Sequence, residues 1–454
     1  MFEIGIPGIE ELLRDAFKPG TLMLITGYPG AGKTTFATQI CHANALKGLK
    51  TIYYSFQEEK SKYYAMMSKY GMDLVSLEKK GLFKYVSMPL IKRVEDLIKE
   101  ISASVSENPN IIVLDSINPL IENFEKDIDR RAFIRNFFAE LARNIDGIVI
   151  LIGEIPFGER TLYFGGIEFT ADVVVNLKYR FERGLLVRHL ELRKLRHSPL
   201  FISEIPISIR EMVGVEGWIP PVLSTIDHTL AKPFDLPSKL LSSVVENLRP
   251  SEHLFISHPP ENEDPFVFVF ILSTLFLNKA RAVMITYKRS PQSLKMWMKR
   301  TISREMPALH KLIEGLDNYL IIHGINPYSY SATQLIALET QLVRKNDPDV
   351  VIYHGVELPY YVINRDEYVS LIYNEINYHR LEGRLVIRIG GIIDGEFYRV
   401  NSTLADVIMK FDFDKEQGKP ETKLLIIRKG LSPREFTPSE LEQIISEINN
   451  ALSK

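Results

Sequence analysis

Gly27-Tyr28-Pro29-Gly30-Ala31-Gly32-Lys33-Thr34 is the stretch on which this chain's reading turns. It fits G-x-x-x-x-G-K-[ST] in full. The apolar run Leu22-Met23-Leu24-Ile25-Thr26 before it reads as a buried strand, and Thr35-Phe36-Ala37-Thr38-Gln39-Ile40 after it as a helix start. Gly27, Gly30 and Gly32 let the backbone wrap a phosphate chain with its N–H groups turned inward. Lys33 is then expected to reach the β- and γ-phosphates, and the Thr34 hydroxyl to ligate Mg²⁺. A helix beginning at Lys33-Thr34-Thr35 adds its positive end. A glycine-rich turn before an ordinary helix is the plainer alternative, and the strand–loop–helix context speaks against it.

A strand-ending aspartate follows at the right remove. Asn110-Ile111-Ile112-Val113-Leu114-Asp115-Ser116 is the Walker B pattern, in which the carboxylate holds Mg²⁺ or its water. Apolar runs ending in Asp are common, so the weight rests on its partnership with the loop. Thr51-Ile52-Tyr53-Tyr54-Ser55-Phe56 is β-branched and aromatic, hence a strand, and runs into Gln57-Glu58-Glu59. Carboxylates at a strand's C-terminal end beside a phosphate loop can act on an attacking water, which makes Glu58 a candidate base. A solvated acidic turn would look the same. Another buried strand is Gly147-Ile148-Val149-Ile150-Leu151-Ile152-Gly153-Glu154. Strands alternating with helical stretches indicate βαβ units and a parallel sheet. In Leu190-Glu191-Leu192-Arg193-Lys194-Leu195-Arg196-His197-Ser198-Pro199, Lys194 and Arg196 point to one side of a strand. By spacing alone they describe a solvated cationic edge as well as a phosphate-binding pair.

The rest of the chain sets bounds. Its 454 residues suffice for two or three domains. A net charge of −2 gives no global pull toward nucleic acid or anionic membrane. The single cysteine, Cys41, forms no intrachain disulfide, which fits a reducing compartment. Met1-Phe2-Glu3-Ile4-Gly5 is not a signal peptide, and the most apolar run, residues 266–277, is too short to span a bilayer. It reads as a buried helix or strand. A cytoplasmic protein without a membrane partner is expected.

Taken together, the first half resembles the KaiC-like ATPases of the RecA superfamily. The resemblance rests on Ile6-Pro7-Gly8-Ile9-Glu10-Glu11-Leu12-Leu13, the phosphate loop, Ser55-Phe56-Gln57-Glu58, Tyr70-Gly71-Met72-Asp73-Leu74, Leu114-Asp115-Ser116, Gly166-Ile167-Glu168-Phe169, Ala171-Asp172 and Lys194-Leu195-Arg196-His197-Ser198, in the family's order over roughly 220 residues. It implies a RecA-type core that binds ATP with Mg²⁺ and assembles into homo-oligomers, often hexameric rings, with ATP between subunits. It also implies that Lys194 and Arg196 act in trans on a neighbour's γ-phosphate. One departure matters. The family carries two glutamates directly after the strand aromatic, and here Gln57 takes the first place and Glu58 the second. Gln orients a water but cannot accept its proton. Slow hydrolysis is therefore expected unless Glu58 or Glu59 substitutes.

Beyond a boundary at residues 220–237, rich in proline, the first half recurs. Leu236-Pro237 answers Ile6-Pro7, Leu254-Phe255-Ile256-Ser257 answers Met23-Leu24-Ile25-Thr26, and Ala282-Val283-Met284-Ile285-Thr286-Tyr287 answers Thr51 onward. Val350-Val351-Ile352-Tyr353 fits the Walker B strand, and Leu404-Ala405-Asp406-Val407 fits Thr170-Ala171-Asp172-Val173. In this register Lys33 becomes Asp264, Thr34 becomes Pro265, Asp115 becomes His354, Gly30 and Gly32 become Glu261 and Glu263, and Gln57-Glu58 become Lys288-Arg289. Acid and proline in place of cation and N–H donors remove the phosphate site. Arg428 and Lys429 fall near Lys194 and Leu195. Residues 439–452 read as an amphipathic helix that docks on its own domain.

The expected architecture is α/β: two tandem RecA/KaiC-like domains, 1–225 with the phosphate loop and 235–454 without it, each a mostly parallel twisted sheet flanked by helices. The leading expectation is a Mg·ATP-binding ATPase of slow turnover that serves as a regulatory scaffold, its second domain nucleotide-free and available to a protein partner. The competing one is a DNA-dependent recombinase or helicase-type ATPase. That reading looks to the stretch 155–168, where Arg160 and the pair Tyr163-Phe164 lie among glycines but little charge.

Overall fold

The computed structural model describes residues 2–88, 94–122, 134–156, 166–196, 203–221, 232–306, 309–414 and 421–452. The chain divides into two compact units, Met1–Ile219 and Pro220–Lys454.

In the first unit, strands β1 (Thr21–Gly27), β2 (Thr51–Ser55), β3 (Phe83–Ser87), β4 (Ile111–Asp115) and β5 (Ile148–Glu154) are all parallel. β6 (Val173–Glu182) joins β1 in parallel, and β7 (Leu185–Leu195), β8 (Glu204–Arg210) and β9 (Gly214–Gly217) extend the sheet antiparallel. The strand order is β3-β2-β4-β5-β1-β6-β7-β8-β9. Alternate residues of β1 feed two cores. Met23 and Ile25 face Phe36 and Ile40 of helix α1 (Lys33–Leu46), whereas Leu22 and Leu24 face Ile101 of helix α2 (Val94–Val105) and Leu141. Burial on both faces is why the central strands read as unbroken apolar runs. Each fully buried Leu or Ile contributes about 1.5–3 kcal/mol.

The second unit repeats this plan. Its strands β10 (His253–His258), β11 (Ala282–Thr286), β12 (Leu320–Gly324), β13 (Val350–His354), β14 (Leu385–Gly391), β15 (Val407–Asp414), β16 (Glu421–Arg428) and β17 (Arg434–Phe436) lie in the order β12-β11-β13-β14-β10-β15-β16-β17. Position for position this is the first sheet from β3 to β8. The expected apolar segment is helix α4 (Phe266–Asn278), which follows helix α3 (Ile167–Thr170) in the numbering used here and is buried nearly all round. A helix apolar on every side belongs inside a core. The last helix, α5 (Pro438–Leu452), buries Leu441, Ile444, Ile448 and Leu452 in that same core, and its Glu447 accepts from Ser238 Oγ at 2.7 Å.

One fastening is common to both sheets. The Asp172 carboxylate accepts from Leu22 N at 3.0 Å while Asp172 N donates to Leu22 O at 2.8 Å. In the second unit Asp406 does the same with His253, at 2.9 and 2.8 Å. The aspartate thus pins the start of the sixth strand to the start of the first. Arg196 N donates to Asp172 O at 2.9 Å, and its counterpart there is Lys429, whose N donates to Asp406 O at 3.0 Å. A bulge between Val174 and Val175 shifts the β6–β7 register, so Arg428 answers Leu195 and Lys429 answers Arg196. Both lie within one residue of the positions at Lys194 and Leu195 that the sequence repeat suggests.

Among the described residues, no helix is long and apolar enough to cross a membrane.

Candidate functional site

At the C-terminal end of β1 the chain turns through residues 27–34 into α1. Gly32 sits at φ +101°, and a Cβ there would stand 2.4 Å from Ile209 Cδ1. Gly27 runs against β6 so closely that a Cβ would meet the Leu177 carbonyl oxygen at 2.2 Å. Neither position tolerates a side chain without displacement. Gly32 caps α1 with no side-chain acceptor, so the first N–H groups of a 14-residue helix open toward the loop. Lys33 folds back to donate to Tyr28 O at 2.9 Å, and Glu154 lies 3.9 Å from its ammonium. Burial lowers the Lys33 pKa, and Glu154 and Asp115 oppose that.

Beneath the loop, Thr34 Oγ1 donates to Asp115 Oδ2 at 2.8 Å. Tyr53, fully buried on β2, donates to the same oxygen at 2.7 Å. Burial raises the Asp115 pKa; Tyr53, Thr34 and Lys33 pull the other way, and Glu154 adds to the rise. Two oxygens at this spacing suit one octahedral Mg²⁺, whose adjacent ligands at 2.0–2.1 Å lie about 2.9 Å apart.

Loop, Thr34 and Asp115 border a cavity of about 290 Å³ that also takes in Pro29, Gly30, Thr35, Gln57 and Glu58. Ser55 Oγ holds Glu58 N at 3.2 Å, and Tyr85 OH donates to Glu58 O at 2.7 Å, which fixes the backbone after β2. Burial and then the Asp115 charge raise the Glu58 pKa. The structure thus gathers Pro29, Gly30, Gly32, Lys33, Thr34, Thr35, Gln57, Glu58 and Asp115. Gly27, Tyr28 and Ala31 shape the loop without lining the cavity; Ala31 N donates to Tyr28 O at 3.2 Å.

Lys194 and Arg196 are not in this cavity. Both reach the carbonyl of Phe169, Lys194 at 2.8 Å and Arg196 at 3.3 Å, and Arg196 also pairs with Asp172 at 3.0 Å. Across β6 they stand level with Leu24 and Leu22 of β1, three and five residues, or about 10 and 16 Å along the strand, short of the loop at Gly27. His197, Ser198, Pro199, and within 155–168 Arg160, Tyr163 and Phe164, lie outside the described residues.

Glu154, Tyr53 and Arg188 were not singled out from the sequence. Glu154 ends β5, beside β1, so the strand-end rule that flagged Asp115 applies to it equally. Tyr53 and Arg188 carry no such signal; only the strand order brings them in.

The equivalent place in the second unit is filled by side chains. Glu263 Oε1 stands 2.9 Å from His354 Nε2 and 4.0 Å from His258 Nε2, with both imidazoles fully buried. Burial alone would raise Glu263, but His354, His258 and Lys288 hold its carboxyl down to about 2. Asp264 accepts from Phe266 N and from Thr422 Oγ1, both at 2.8 Å, and so caps α4. Lys288 pairs with Glu357 at 2.6 Å.

A parallel sheet in this order, a glycine loop feeding a helix, and a strand-ending aspartate hydrogen-bonded to the loop threonine define a P-loop nucleotide-binding unit of RecA type. The comparisons narrow the class: residues 2–217, nearly the whole first unit, match the family model described as "ATPase: KaiC", so that unit is similar to KaiC-type ATPase domains. A UPF0273 protein of Pyrococcus horikoshii is 25% identical over 228 residues, 46% of this chain and 90% of that protein. A UPF0273 protein of Saccharolobus solfataricus is 23% identical over 234 residues, 47% of this chain and 81% of that protein. The circadian clock oscillator protein KaiC of Parathermosynechococcus lividus is 24% identical over 216 residues, 46% of this chain but 40% of that protein.

Proposed function

We propose that the first unit binds Mg·ATP and hydrolyses it slowly, and that the second unit binds no nucleotide and conveys the state of the first to a protein partner. The observation that carries this is the Thr34–Asp115 hydrogen bond at 2.8 Å beneath a glycine loop closed by Lys33. In this reading Lys33 faces the β- and γ-phosphates and Thr34 with Asp115 holds Mg²⁺. Mg²⁺ supplies neutralisation of the developing phosphate charge. Gln57 orients the attacking water, and Glu58 next to it, its pKa raised by burial, accepts the water's proton. Where the phosphates would lie in the second unit, Glu263 already occupies the imidazoles.

Lys194 and Arg196 complete the site of a neighbouring copy in a homo-oligomer, a ring of RecA type. Their position outside the cavity of their own loop supports this, because only head-to-tail association brings such a pair to a phosphate. The strongly exposed Phe169, whose carbonyl both cations reach, gives that end an apolar contact.

Titration calorimetry with ATP in Mg²⁺ tests the proposal. One site per chain is expected, lost on Lys33→Ala. Two sites per chain, or binding that survives Lys33→Ala unchanged, would sink it.

A further inference from the structure

The cavity holds a second cation that phosphate-loop chemistry does not require. Arg188 projects from β7, opposite Tyr179 on β6 and Ile207 on β8, and lines the cavity with Met66, Tyr70 and Ile209. The neighbouring strand β6 touches the loop, since the Tyr179 and Tyr28 rings meet edge to face at 6.1 Å. Among the described residues, the Arg188 Nε is buried without a hydrogen-bond partner. The groups that act on it are the phenols of Tyr70 and Tyr179, and burial lowers its pKa. Lys33, by contrast, has Tyr28 O and Glu154. A half-buried guanidinium with an unused donor is costly unless an anion meets it.

The make-up of the cavity wall says which anion. Lys33 and Thr34 belong to the β- and γ-phosphates. The same wall also holds Arg188 with Met66, Tyr70 and Ile209, a mix of aromatic and apolar surface fit for a nucleoside. With the terminal phosphates assigned to the loop, the α-phosphate is the anion left for a second cation beside the nucleoside.

We infer that Arg188 is the cation for the α-phosphate of the bound nucleoside phosphate, a binding residue separate from Lys33. This rests on the ATP reading above. It makes the site one that grips nucleoside monophosphates as well as triphosphates.

Binding of ATP, ADP and AMP is measured for the full chain, Arg188→Met and Lys33→Ala. Arg188→Met is expected to weaken all three about tenfold, AMP as much as ATP. Lys33→Ala is expected to weaken ATP and ADP and leave AMP within about threefold. Unchanged affinities in Arg188→Met, or a loss for ATP with none for AMP, overturn the assignment while leaving the ATP reading intact. A folded wild type that binds no nucleotide overturns both. Should Arg188→Met fail to fold, Arg188→Lys serves: it keeps the charge but loses the planar fork. The ³¹P resonance of bound AMP is then expected to move relative to wild type, and an unmoved resonance rejects the contact.

Discussion

Asp115 and His354 hold the same position in two sheets of the same order: each ends the strand beside β2 or its counterpart, Asp115 opposite Ser55 and His354 opposite Thr286. One presents a carboxylate to a loop threonine, the other an imidazole to a loop glutamate. The polarity of the site is inverted between the units. A pocket that presents cations and N–H donors suits a triphosphate, and a pocket already containing its own anion does not.

The Asp115 carboxyl carries a cost in the ligand-free protein. Its pKa is raised, so the ionised form is disfavoured by folding; that penalty is complete above its folded pKa, fades as pH falls through it and is gone below the ordinary 3.8. Asp115→Asn removes the charge while keeping an acceptor. Ligand-free Asp115→Asn is expected to melt a few degrees higher than wild type, about 2–4 °C per kcal/mol for a unit of this size. It is also expected to lose Mg²⁺-dependent nucleotide affinity. Calorimetric melting with and without Mg·ATP reads both.

Hydrolysis should depend on the side chain at position 57. Gln57 lines the cavity but has no basic atom to take a proton. Gln57→Glu is expected to raise single-turnover phosphate release by about a hundredfold or more, the lower end of general-base effects. Glu58→Gln is expected to lower what activity remains. Phosphate release faster in wild type than in Gln57→Glu would reassign the base.

Glu263 gives the second unit an acid-sensitive contact. Its folded pKa, about 2, lies below the ordinary 4.5, so its contribution is complete above 4.5 and disappears as pH falls toward 2. At full ionisation it amounts to at most about 3 kcal/mol. Glu263→Gln is expected to destabilise the unit at pH 7 and to flatten the fall in stability between pH 4.5 and 2. Urea unfolding across that range reads the difference in slope, and parallel curves would reject the pairing.

Gly32 bears two constraints at once. Its φ of +101° disfavours any side chain, and the added carbon would press on Ile209. Gly32→Ala is expected to cost about 1–3 kcal/mol and to abolish nucleotide binding. Adding Ile209→Ala relieves the contact but not the backbone, so the double variant should recover part of the stability and none of the affinity.

Much of this was legible in the sequence because it is local. The loop, the strand-ending Asp115 and the buried apolar run from Phe266, though not its helical form, are each set by a few consecutive residues. The repeat showed as well, since Ala282–Thr286 keeps the pattern of Thr51–Ser55 where the loop chemistry has gone. What escaped depends on strand order. Tyr53 lies 62 residues from the Asp115 it supports, and Arg188 comes from the antiparallel extension. That Glu263 lies between two buried imidazoles inside the second unit was equally hidden. The sequence shows its repulsion for phosphate, but the histidines that face it stand at 258 and 354.

The Asp172 and Asp406 fastenings lie at the opposite end of each sheet from the loop. The framework is thus held by bonds that owe nothing to whatever fills its mouth. A chassis so built lets its working end drift, decay or be refitted while the strands stay in register. The segment at 258–265 is therefore a natural place to transplant the glycine loop, together with His354→Asp, and ask how much of a lost trade the second unit can relearn.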